Sequence, residues 1–112
     1  MNLHKPFFVF ALILFYNNFA HASGGTSWGK ITETYVHQGW TMVKVNGVAE
    51  NPDNCASVIY YALHPSQESY EYLHSTLLSA MISNRRVRFW VDGCKGQHNH
   101  YPNIRSVFVS AN

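Results

Sequence analysis

The sequence predicts a small, mainly β domain with one helix. Three runs of β-branched and aromatic residues come first, a stretch of helical periodicity follows, and two further runs close the chain. Turn signals separate the early runs, at Gln38-Gly39, at Asn46-Gly47 and around Pro52. The predicted order of elements is therefore β-β-β-α-β-β.

Side-chain alternation predicts which face of each strand is buried. In the second strand, Val43 and Val45 are expected to face the core. In the fourth strand, Val87, Phe89 and Val91 point one way, whereas Arg86, Arg88, Trp90 and Asp92 point the other way. The predicted strands span residues 30–37, 40–45, 55–63, 86–92 and 104–110.

The helix is predicted over residues 66–84. Ser66 is placed to cap its first turn, and Glu71 puts a negative charge near the positive end of the helix dipole. Asn84 tolerates the left-handed conformation with which helices end. An apolar stripe recurs at steps of three and four residues: Tyr70, Leu73, Leu77 and Met81.

This element order is that of the OB-fold, a five-stranded Greek-key barrel with its helix between the third and fourth strands. The fold class predicted is therefore mainly β with one helix, arranged as an OB-like five-stranded barrel. An open α+β sheet covered by one helix has the same element order and is the alternative.

The first residues are predicted to be a secretory signal peptide. Lys5 gives a short positive region, residues 7–15 are apolar, and Ala20-His21-Ala22 has the small-x-small pattern of a cleavage site. Cleavage near Ala22 would leave one domain, residues 23–112, secreted or periplasmic and without a stable membrane anchor. An uncleaved N-terminal anchor is the alternative.

Two cysteines follow the predicted cleavage site, Cys55 and Cys94. In an exported chain, two cysteines most simply form one disulfide. Closing a loop of this length would stabilise the fold by roughly 3–4 kcal/mol in the chain-entropy model. Free thiols or an intermolecular bridge are the alternatives.

Charge and motifs exclude several functional classes. The formal net charge is +2, with neither a basic tail nor an acidic run. Export makes nucleic acid an unexpected partner, although arginines beside tryptophans can bind single strands. No G-x-S-x-G motif and no carboxylate pair stand out, so we predict that the protein is not an enzyme.

His98 and His100 are candidate metal ligands, because imidazole binds transition metals. Such a site would need further ligands from elsewhere in the fold, and a polar surface loop is the simpler interpretation. We therefore predict no metal and no cofactor.

Large aromatic groups with a polar atom are the better candidates for binding. Tryptophan and tyrosine rings stack on sugars and dominate protein–protein contacts. Trp90 shares a strand face with arginines, so we expect it to be the most exposed. The candidate ligand-binding residues are Trp28, Trp40, Arg86, Arg88, Trp90 and Tyr101.

Several stretches resemble the B subunits of subtilase-cytotoxin and pertussis-like toxins. Gly29-Lys30-Ile31-Thr32 with His37-Gln38-Gly39 looks like their first hairpin, and the passage from Tyr72 to Val87-Arg88-Phe89-Trp90 looks like their helix-to-strand passage. The resemblance implies a ring of five subunits that binds cell-surface glycans beside a separate catalytic subunit. Trp28 and Met81-Ile82 stand where the family has its sugar contacts, so those contacts do not carry over residue by residue.

The function expected is that of a secreted, non-catalytic binding subunit of the toxin B-subunit type. Its target would be a glycan or a protein, and its assembly a homo-oligomer, a pentamer by resemblance. The alternative is a periplasmic or secreted accessory or inhibitory domain that binds a protein and has no sugar site.

Overall fold

The computed structural model describes residues 22–112, which form one sheet of six strands and one α-helix. The predicted signal peptide, except for Ala22, lies outside the described residues. The prediction of a mainly β domain with one helix is confirmed. The elements are β1 (Gly24–Gly25), β2 (Gly29–His37), β3 (Trp40–Val45), β4 (Tyr61–Leu63), α1 (Tyr70–Ile82), β5 (Arg86–Lys95) and β6 (Tyr101–Val109).

Five of the six strands pair into a closed ring. β2 and β3 form an antiparallel hairpin, β3 pairs antiparallel with β4, and β4 pairs parallel with β6. β6 runs antiparallel to β5 over most of its length, and β5 returns to the start of β2 through Gly29 and Lys30. The strand order along the ring is therefore β2-β3-β4-β6-β5.

The sixth strand, β1, was not predicted. Gly24 and Gly25 pair with Val91 and Trp90 of β5. Thr26 fastens this segment, because its backbone N–H donates to the Phe89 carbonyl and its hydroxyl accepts the Phe89 N–H. Two glycines without side chains carry no periodicity, so the sequence pattern could not reveal the strand.

The core lies inside the ring and beneath α1. Val43, Val87 and Phe89 are fully buried, as the alternation predicted, and Val45 is nearly so. The apolar stripe of the helix faces this core, with Leu77 buried and its neighbours partly buried. These contacts place the helix across β2, β4 and β6.

Both helix ends can be compared with the prediction. The N-cap is Ser69, not Ser66; the Ser66 hydroxyl instead bonds the ring of His64. Asn84 has a φ of 58° and follows the helix in the left-handed conformation, as predicted. The Arg85 N–H then reaches back to the Ala80 carbonyl, which closes the helix with a Schellman-type bond.

The third, fourth and fifth predicted strands differ from their predicted bounds, and the fifth, predicted over residues 104–110, is β6, Tyr101–Val109. Only Tyr61–Leu63 of the predicted 55–63 run forms a strand. Residues before it are held by local bonds instead, since the Asn51 side chain bonds both the N–H and the carbonyl of Cys55. β5 does not end at Gly93 but passes through it, with a φ of 81°, to Lys95.

The predicted disulfide between Cys55 and Cys94 is present, with its Cα atoms 5.6 Å apart. It joins the irregular segment before β4 to the end of β5, and such a bond is typical of a non-reducing, secreted or periplasmic environment. In residues 22–112, no helix has the length and apolar character needed to cross a membrane.

Candidate functional site

One concave site lies where the β2–β3 turn approaches the loop between β5 and β6. We call it the Trp40 cleft; its volume is about 450 Å³. A tryptophan ring, two imidazoles and three side-chain amides surround it. Its lining residues are His37, Gln38, Trp40, Gly96, Gln97, His98 and Asn99.

Trp40 is held in place from two directions. Its ring packs against the ring of His64, with centroids 4.7 Å apart. The residue before it, Gly39, accepts a hydrogen bond of 2.8 Å from the Tyr70 hydroxyl at the start of α1. The two-residue turn Gln38-Gly39, with φ of 52° and 83°, therefore has a fixed position relative to the helix.

A buried polar network strengthens this connection. The Thr41 hydroxyl, which is fully buried, lies 2.7 Å from the Tyr70 hydroxyl and 2.8 Å from Nδ1 of His74. Tyr70 and His74 stack on each other, at 5.6 Å between centroids. Because buried polar groups are costly unless paired, this network holds the turn and the helix together.

The opposite wall of the cleft is a short loop with an unusual backbone. Gly96 has φ 85° and ψ −166°, a region that is essentially open only to glycine. A Cβ at this position would lie 2.7 Å from the ring of Tyr101. His98 and Asn99 also have positive φ, of 58° and 56°. Backbone bonds fix the loop nevertheless, from Asn99 to Gly96, from His100 to Gln97 and from Ser57 to His100.

Three tyrosines form a row behind this loop. The Tyr35 hydroxyl donates to Oε1 of Gln97 at 3.1 Å, and the rings of Tyr35, Tyr60 and Tyr101 follow one another edge to face. The Tyr60 hydroxyl donates to Glu33 at 2.9 Å, and this hydrogen bond raises the pKa of Tyr60. The row orients Gln97 at the cleft.

The cleft offers a flat apolar ring next to hydrogen-bonding groups. Within residues 22–112 the side-chain nitrogen of Gln97 has no hydrogen-bond partner, so its N–H groups remain for a ligand. A ring that stacks on Trp40 and presents hydroxyl groups to amides and imidazoles would satisfy both features. Sugars have this combination of an apolar face and hydroxyl edges.

A second cleft, of about 500 Å³, adjoins the first. His64, which contacts Trp40, and Lys95, which precedes Gly96, both line it, together with Arg105 and Asn103. Asn103 is 4 % exposed, its nitrogen lies 3.4 Å from Oε1 of Gln67, and its Oδ1 has no partner in the described part of the chain. A ligand longer than one ring could extend from the Trp40 cleft into this polar neighbour.

A separate surface lies on the outer face of β5 and β6. Arg88 is directly opposite Phe108, and its guanidinium lies 4.0 Å from the centre of the Phe108 ring. The Trp28 ring lies 5.3 Å from the same guanidinium and 5.9 Å from that of Arg86. Trp28, Trp90 and Phe108 are each 40–44 % exposed. We call this surface, Trp28, Arg86, Arg88, Trp90 and Phe108, the arginine–aromatic face.

The structure therefore does not bring the candidate residues together in one place. Trp28, Arg86, Arg88 and Trp90 come together on the arginine–aromatic face, and Trp90 is exposed as expected. Trp40 lies in the cleft, while Tyr101 packs behind the cleft loop rather than beside either group.

Sequence reasoning missed His37, Gln38 and Gln97 at the cleft and Phe108 on the face. One signal for the cleft was present. In the predicted OB-like order, the loop between the first two strands and the loop between the last two belong to one binding region. The residues of these two loops could therefore be predicted from the sequence to form one binding site.

His98 and His100 have ring centroids 5.5 Å apart. Among residues 22–112 no cluster of three or more histidine, cysteine, aspartate or glutamate side chains is placed to hold a metal ion.

Comparison with protein-family models, with curated proteins and with solved structures gave no match.

Proposed function

We propose that this chain is a secreted, non-catalytic binding subunit with an OB-type barrel, which holds a sugar in the Trp40 cleft and works as a homo-oligomer. Export would follow cleavage of the signal peptide near Ala22. The observation that carries the proposal is the cleft itself, in which a fixed tryptophan ring faces amides and imidazoles from two converging loops.

The order and direction of the strands support the OB-type barrel. The ring β2-β3-β4-β6-β5 closes on itself, and its helix comes between the third and fourth strands of the ring in chain order. OB-folds bind oligosaccharides and oligonucleotides at the loops that join strands one to two and four to five. Here these are the Gln38-Gly39 turn and the segment 96–100, and both border the cleft.

An unpaired strand edge supports self-association. β2 bonds to β5 only at Gly29 and Lys30, whereas its pairing with β3 runs on to His37. Within residues 22–112 the outer edge of the later part of β2 therefore has no neighbouring strand, and Val36 there is 56 % exposed. Edges of this kind pair readily with another chain. The toxin resemblance makes a ring of five the expected assembly.

The test is a glycan array probed with residues 23–112, produced in an oxidising compartment. We expect the protein to bind some of the glycans on the array. Trp40→Ala should weaken this binding about tenfold or more, because the surface on which the sugar stacks is lost. Trp90→Ala is the matched control and should change the affinity less than about twofold. Binding that does not depend on Trp40 would contradict the proposed site. Light scattering then measures the mass of the protein in solution. A mass of five chains supports the ring, and the mass of one chain argues against it.

A second candidate function is that of an accessory domain that binds a protein. The arginine–aromatic face favours it, because tryptophan and arginine dominate the energetic centres of protein interfaces. If the protein is a monomer and binds no glycan on the array, this second function is favoured.

A further inference from the structure

We propose that the arginine–aromatic face binds an extended acidic segment of a partner protein, with carboxylates on alternate residues. This inference refines the second candidate function and depends on protein binding rather than on the sugar cleft. Three features of the face support it: the uncompensated charge, the exposed rings and the spacing of the arginines.

The positive charge of the face lacks an internal partner. Arg86 and Arg88 contact the rings described above, and Arg86 also approaches the Ser110 hydroxyl at 3.4 Å. In the described part of the chain, neither guanidinium contacts a carboxylate. Lys30 lies directly opposite Arg86 on the neighbouring strand and adds a third cation to the same face. The complementary partner is therefore anionic.

Aromatic rings lie within cation–π distance of both guanidinium groups. Arg88 is bracketed by Trp28 on one side and Phe108 on the other. Its terminal nitrogen and the Trp90 ring also lie together over Gly25, within 3.7 Å of the point where a Cβ would be. Stacking leaves the N–H edge of a guanidinium free for bidentate contact with a carboxylate. An arginine already ordered in this way loses less conformational entropy when it binds.

The spacing of the arginines specifies the form of the partner. Arg86 and Arg88 are two residues apart on one strand face, which separates their Cα atoms by about 7 Å. Alternate residues of any extended segment have the same separation, so two carboxylates at positions i and i+2 match both arginines. The exposed rings of Trp28 and Trp90 flank this pair and can cover the apolar parts of such a segment.

The probe is a short, end-blocked peptide of alternating glutamate and threonine, labelled for fluorescence anisotropy. Its control has glutamine in place of every glutamate. We expect the glutamate peptide to bind and the glutamine peptide to bind at least about tenfold more weakly, since the charge-assisted bonds are absent. Raising the salt concentration should weaken the binding of the glutamate peptide, because salt screens the attraction between the charges.

Variants then locate the binding on the protein. Arg88→Gln and Arg86→Gln should each reduce affinity about tenfold, and Arg88→Lys should fall between wild type and Arg88→Gln because it keeps the charge but not the planar fork. Two control variants should leave the affinity for the glutamate peptide within about twofold of wild type. They are Arg105→Gln, at an exposed arginine that lines the second cleft, and Trp40→Ala.

Each contrary result has its own meaning. Equal binding of both peptides through Trp28 and Trp90 would overturn the acidic partner but leave an apolar protein surface. Binding of a sulfated oligosaccharide at Arg88 without the peptide would overturn the proposal in favour of a glycan. Failure of the glutamate peptide to bind, or binding that is indifferent to Arg86 and Arg88, would also overturn it.

Discussion

The Trp40 cleft and the arginine–aromatic face are built in opposite ways. The cleft joins segments that are far apart in sequence, residues 37–40 and 96–99, and it depends on loop backbone in positive-φ conformations. The face is mostly local, because Arg86, Arg88 and Trp90 alternate along one strand. The cleft is held by hydrogen bonds and by a glycine, whereas the face is held by stacked side chains.

Because of this difference, the two surfaces are sensitive to different kinds of substitution. A substitution in the cleft loop acts on the backbone and therefore on the fold as well as on the site. A substitution on the face removes exposed side-chain contacts and leaves the strands beneath it paired. Stability measurements on matched variants can therefore test whether the two surfaces are as different as their construction implies.

The largest effect is expected at Gly96. Gly96→Ala forces an L-residue into a region of φ and ψ that costs about 1–3 kcal/mol, and its Cβ also meets the Tyr101 ring. We expect a loss of unfolding free energy of about 3 kcal/mol, since the backbone strain and the steric conflict act together. Urea unfolding of the oxidised protein measures it.

Gly93→Ala is the control for this variant. Gly93 also has a positive φ, of 81°, but an added Cβ there would meet nothing within 4 Å. Its cost should be limited to the backbone, about 1 kcal/mol. Equal losses at Gly93 and Gly96 would show that Tyr101 does not pack closely on the loop, and the cleft would then be less rigid than described.

The same contrast explains how much the sequence could predict. The alternation of Val87, Phe89 and Val91 with Arg86, Arg88 and Trp90 is a local pattern with period two, and it correctly predicted both the buried side of β5 and the exposed face. The cysteine pair and the helix stripe were equally readable. These features depend on residues close in sequence or on the chemistry of one residue type.

The cleft could not be derived from local pattern, because it depends on which loops meet. The predicted third strand failed for a related reason. Ile59 has high β-propensity but is 60 % exposed, and the tertiary bonds of its segment, such as that from Ser57 to His100, replace strand pairing. The capping error had a local cause, since the His64 ring competes for the Ser66 hydroxyl.

A smaller effect is expected on the face. Arg88→Met keeps much of the packing over Trp28 and Phe108 but removes the charge that the rings attract. Exposed cation–π contacts contribute about 0.5–1 kcal/mol each, so we expect a loss of about 1 kcal/mol in urea unfolding. Arg105→Met, an exposed arginine without a ring contact among the described residues, should be close to neutral. A loss at Arg88 as large as that at Gly96 would remove the distinction between the two surfaces.

The smallest effect appears only in alkaline solution and concerns Tyr60, in the tyrosine row behind the cleft, and Tyr61, in the core. The hydrogen bond to Glu33 raises the pKa of Tyr60 above its ordinary value of 10.0, and burial, together with the Glu50 carboxylate, raises the pKa of Tyr61. Because the folded state resists ionisation, the stability linked to these protons is complete below about pH 10 and is lost as pH rises through the raised pKa values.

Tyr60→Phe should remove one late-ionising phenol from the ultraviolet titration and leave the later one, Tyr61, in place. Tyr72→Phe, at a side chain 78 % exposed, is the matched control, because it leaves the Tyr60 and Tyr61 side chains unchanged. If Tyr60→Phe does not change the late part of the titration, the bond to Glu33 does not hold in solution, and the row that orients Gln97 lacks its outer support.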